Sequence, residues 1–95
     1  MEPIDFSSLP GGELIRRGLG DLATGRESEA ALLVLIGAPR LRRLGLFVPE
    51  AKYSRLPEHQ LYDLLACSDS DSAHSRYNAL VRRLVRFERA LECVA

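Results

Sequence analysis

Tryptophan is absent from the 95-residue chain, methionine occurs once, and only two cysteines, Cys67 and Cys93, are present. Thiols that few and that far apart form neither a disulfide framework nor a zinc module, so each reads as a small, partly buried hydrophobe. Net charge is also missing, because thirteen basic residues balance thirteen acidic ones. That balance removes the simplest electrostatic case for nucleic acid or an anionic membrane. Lysine is nearly lacking, as twelve of the thirteen basic residues are arginine. Arginine suits bidentate contacts with carboxylate or phosphate, but a GC-rich genome writes the same bias. No apolar run nears the roughly 20 residues that span a bilayer, the longest being Ala30 to Ile36. The opening MEPIDFSS has no basic region followed by an apolar one, so a cytoplasmic location is expected.

What is present belongs to an ordinary globular chain, 46% hydrophobic and 27% charged, with length for a single domain over 1–95. From Ser72 to Val94 there is neither proline nor glycine. Within that stretch Ala73, Tyr77, Leu80, Leu84, Phe87, Leu91 and Val94 recur at spacings of four and three, the stripe of a packed helix. A long C-terminal helix over about 72–94 is therefore expected, with Asp69, Ser70 and Asp71 as cap candidates. Its stripe calls for partners from the rest of the chain or from a second copy, which makes a homodimer an expectation.

The remaining elements read as helices as well. Residues 1–8 form a loose arm, with Ile4 and Phe6 available to dock. Pro10 stands at the first turn of a helix through GELIRRGLGDLAT, lined by Leu14, Ile15, Leu19, Leu22 and Ala23. Its Gly18 and Gly20 weaken it by about 1 kcal/mol each relative to alanine, which points to close approach by a neighbouring element. The same glycines spell G-L-G-D-L-A, but no strand precedes them and no acid follows at the required distance, so a dinucleotide site is rejected. Thr24 and Glu27 have the spacing of a capping box, starting a second helix at Gly25 or Arg26 that becomes the most buried one. Gly37 should end it, and Pro39 should open a short helix over 39–44, closed by Gly45 with Leu46 folded back on Leu41. Phe47, Val48, Tyr53 and Leu56 would pin an irregular connection, and Pro57 starts a helix with Leu61, Leu64 and Leu65 inward. The expected fold is all-α, a compact bundle of four to five helices.

Four clusters carry chemical interest. Arg40, Arg42 and Arg43, after a turn at Gly37 and Ala38, are placed like a helix-turn-helix reader, although the helix is short and Leu33 is bulky where such motifs are small. Arg82, Arg86 and Arg89 fall at i, i+4 and i+7 opposite the apolar stripe and share one exposed face fit for an acidic partner or phosphates. Glu88, on the shoulder of the stripe, calls for an arginine partner. His74, Arg76, Tyr77 and Asn78 are residue types used for proton transfer or anion binding, near a helix N-terminus. Finally, His59, Asp63 and Cys67 lie at i, i+4 and i+8 with His74 beyond, but no tight ligand pair anchors them. Neither a metal nor a cofactor is expected. The arginine-to-histidine spacing of small helical ribonucleases is missing, since Arg55 precedes His59 too closely and Arg76 follows His74.

No complete catalytic set emerges. The leading expectation is a non-enzymatic protein-interaction module, an adaptor or regulatory subunit acting through a helical face. The rival is a small nucleic-acid-binding regulator that uses Arg40, Arg42 and Arg43 with Arg82, Arg86 and Arg89, and it requires the two groups to share a surface.

Overall fold

The computed structural model describes residues 6–50 and 56–94. Ile4, Tyr53 and Arg55 lie outside the described residues. A short 3-10 turn at Phe6–Ser8 leads into α1 (Gly12–Ala23), α2 (Glu29–Arg43), α3 (Pro57–Ser68) and α4 (Ala73–Val94), with no strand among the described residues. The all-α expectation holds, with four α-helices among the described residues.

The arm is less loose than expected at its end. Phe6 stands edge-on to Phe87, ring centroids 5.6 Å apart at 71°, which anchors the turn to α4. The chain then turns at Gly11, whose φ of 76° is left-handed, and its carbonyl accepts the first helical bond, from Ile15. A side chain here would be strained and would also meet the Arg83 carbonyl oxygen at 3.0 Å, so glycine serves both the turn and the approach of α4.

Thr24 does not start the second helix. Its backbone, at φ −97° and ψ 3°, is that of a helix end, and its hydroxyl donates back to the Asp21 and Gly20 carbonyls. Gly25 follows with φ of 75°, its N–H on the Leu22 carbonyl and that of Arg26 on Asp21, the paired bonds of a Schellman ending. Ser28, in extended conformation, is the cap of α2: its hydroxyl accepts from the Ala31 N–H at 3.1 Å and donates to the Asp21 carboxylate. Such a cap contributes about 1 kcal/mol, and here it also ties α1 to α2.

Nor does Gly37 end α2. The helix continues through Gly37 and Pro39 to Arg43, so no separate helix over 39–44 and no turn at Gly37 and Ala38 exist. Pro39 is exposed, and its ring removes the N–H that would otherwise bond the Leu35 carbonyl one turn earlier. Gly37 is buried for another reason: a Cβ on it would stand 2.8 Å from a Leu84 methyl, so glycine lets α4 cross closely. After Arg43 the ending is the expected one, with Gly45 at φ 101° and the Leu46 N–H on the Leu41 carbonyl at 3.0 Å.

Helix α2 occupies the centre and packs on α1, α3 and α4. Ile15, Leu33, Leu41, Leu61, Leu65 and Phe87 are fully buried among them. In α1, Gly18 accounts for the close approach to α2, while Gly20 faces open space and Ala23 is exposed, contrary to the sequence reading of both. Leu64, Leu56 and especially Phe47, 85% exposed, also lie outside the core. Both cysteines are free and exposed rather than partly buried.

The stripe of α4 closes on its own chain. Ala73, Leu84, Phe87 and Leu91 are buried and Tyr77 and Leu80 half-buried against the core, whereas Val94 is exposed. Asp69 shapes the preceding loop by accepting the Asp71 N–H at 3.1 Å.

Candidate functional site

The four candidate residues His74, Arg76, Tyr77 and Asn78 lie in the first two turns of α4, but they do not converge. His74 and Asn78, one turn apart, are exposed and touch through Nε2 and Nδ2 at 3.2 Å. Arg76 turns away from them: it donates to the Ser68 hydroxyl at 2.9 Å and to the Glu29 carboxylate at 3.2 Å. It thereby joins the end of α3 and the start of α2 to α4. Tyr77 leans on Tyr62, ring centroids 5.9 Å apart. Burial foremost, and the Glu58 charge next, push its hydroxyl above the usual 10.0, the wrong direction for a base near neutrality. Two of the four are thus engaged with neighbouring helices, and the other two pair with each other in solvent.

His59, Asp63 and Cys67 are exposed along one side of α3, and no group of three or more His, Cys, Asp or Glu among the described residues is placed to hold a metal ion. Asp63 and Cys67 instead border a groove of about 230 Å³ with Glu27, Leu32, Gln60 and Leu64.

The arginines of α2 separate. Arg40 reaches across to α4, 3.0 Å from the Glu92 carboxylate and 3.9 Å from that of Glu88. Arg42 donates through Nε and Nη2 to the Val48 carbonyl at 3.3 and 3.0 Å, which holds the chain after α2. Arg43 is exposed. A spacing of two residues sets Arg40 and Arg42 roughly 200° apart on any helix, a signal already present in the sequence.

Glu88 is the one buried charged residue among the described residues, and its partner is Arg40 from α2, as its place on the stripe required. Burial foremost raises its carboxyl above the ordinary 4.5, while the Arg40 charge acts in the lowering direction. A carboxyl raised on folding binds its proton more tightly in the native chain than in the unfolded one. Its contribution to stability is therefore complete below the unfolded value and is lost as pH rises through the native one. Glu88→Gln, which keeps the shape and removes the titration, is expected to gain stability relative to the parent as pH rises from about 4 to 7. Urea unfolding at several pH values checks this; a constant difference between the two proteins would mean that Glu88 is not desolvated.

Arg82, Arg86 and Arg89 stand on the side of α4 opposite Leu84, Phe87 and Leu91. All three are exposed, and among the described residues they form no ion pair or hydrogen bond. No helix is long and apolar enough to cross a membrane among the described residues. Comparison with known protein families, with curated proteins and with solved structures finds no match.

Proposed function

We propose that the chain is a non-enzymatic protein-interaction module, an adaptor or regulatory subunit, that works in the cytoplasm by presenting a helical face to its partner. The carrying observation is the two-sidedness of α4: its inner side is closed on the core, while Arg82, Arg86 and Arg89 on its outer side have no acceptor among the described residues. A rigid helix with an unneutralised outer row is a recognition surface of the helix-face type. Another protein ranks ahead of a second copy as partner, because the stripe that argued for a pair is covered within the chain from Ala73 to Leu91. The nucleic-acid reading has less support, since Arg40 and Arg42 are turned to different internal acceptors.

Affinity isolation of the tagged chain from the cells that produce it, with and without nuclease, tests this reading. A protein recovered in stoichiometric amount and indifferent to nuclease is the expected result. Recovery of nucleic acid, or loss of all bound material on nuclease treatment, would replace the module with the regulator.

A further inference from the structure

Resting on that reading, the geometry points to the partner's chemistry: the outer face of α4 takes an acidic helix of another protein, with carboxylates at i, i+4 and i+7 opposite Arg82, Arg86 and Arg89. Charge complementarity is the first ground. Both acids in this part of α4 are already engaged by Arg40, Glu88 in the core and Glu92 at the flank, so nothing on α4 neutralises the outer row. In a chain of zero net charge, that local excess is the feature an acidic segment would seek.

The row runs along the helix axis, about 10 Å from Arg82 to Arg89 at about 1.5 Å per residue. A second helix laid alongside presents acids at the same intervals. Each guanidinium offers a planar fork that meets a carboxylate through two bonds. A row of three neutralises few phosphates of a duplex, and Arg40 and Arg42 cannot extend it while they serve Glu92 and Val48. The described helices do not supply the complement. Among the described helices α1 has Glu13 and Asp21, α2 only Glu29, and α3 Glu58 and Asp63, so none offers three acids in line. The occupant is a different protein.

The test is an NMR titration of the full chain with two probes: a synthetic alanine-rich helix carrying Glu at i, i+4 and i+7, and a random-sequence DNA duplex, at about 50 and 200 mM salt. The expected result is shift changes confined to the outer side of α4 with the acidic helix, weakened at the higher salt. The Arg82→Ala/Arg86→Ala/Arg89→Ala variant, folded as judged by an unchanged urea midpoint, should bind at least roughly tenfold more weakly. Shifts centred elsewhere, tighter binding of the duplex, equal binding by the triple variant, or no shift at up to about 1 mM peptide would each overturn the proposal. If the triple variant also recovers the same nuclease-indifferent protein from cells, the interaction module stands and this face is not its site.

Discussion

Gly18→Ala is expected to destabilise the protein by about 1–3 kcal/mol, although alanine is the better helix former by about 1 kcal/mol. A Cβ at this position would press on the Ala30 carbonyl oxygen and lie 2.5 Å from a Val34 methyl. The carbonyl belongs to the backbone of α2 and cannot rotate aside, so α1 and α2 must move apart. Gly20→Ala, two residues along the same helix, provides the opposite case. Nothing lies within 4 Å of its Cβ position, and a gain of about 0.5–1 kcal/mol is expected. Urea unfolding of the two variants in parallel decides the matter, because helix propensity alone predicts the same sign for both.

Leu84→Asp is expected to unfold the protein. Leu84 is 3% exposed and meets Gly37 across the α2–α4 contact. The substitution loses about 2–3 kcal/mol of burial and places a second carboxylate one turn from Glu88. The total approaches the 5–15 kcal/mol that holds a domain of this kind together. Arg82→Asp, on the outer side of the same helix, should change stability by no more than about 1 kcal/mol. A cooperatively folded Leu84→Asp protein would mean that α4 does not pack through this side.

The inner side of α4 was legible in the sequence because 22 residues of alternating spacing leave little choice of face. Pro57 and the Gly45–Leu46 ending were equally plain, since each depends on a backbone preference of the residue itself. The start of α2 was not. Thr24 and Ser28 are both hydroxyl residues near an acid, and what separates them is the left-handed Gly25 with the Asp21–Ser28 bond, neither visible in local pattern. Gly37 and Pro39 misled for a related reason. Local rules end a helix there, but the glycine at 37 answers the close approach of Leu84 from α4, a demand from far along the chain, and does not mark an end. Of the candidate residues, the Arg82, Arg86 and Arg89 row followed from periodicity. The engagement of Arg40 with Glu88 and Glu92 and of Arg76 with Glu29 depends on which helices become neighbours, which spacing within one helix does not encode.

Arg76 and Arg40 act at opposite ends of α4. The first ties its start to α2 and α3, and the second ties its last turns to α2, with attachments about 18 Å apart at about 1.5 Å per residue from Arg76 to Glu88. Each tie is weak taken singly. A pull on the outer side between them is nonetheless shared by both, so α4 is held against the core at two points and is not peeled from one end.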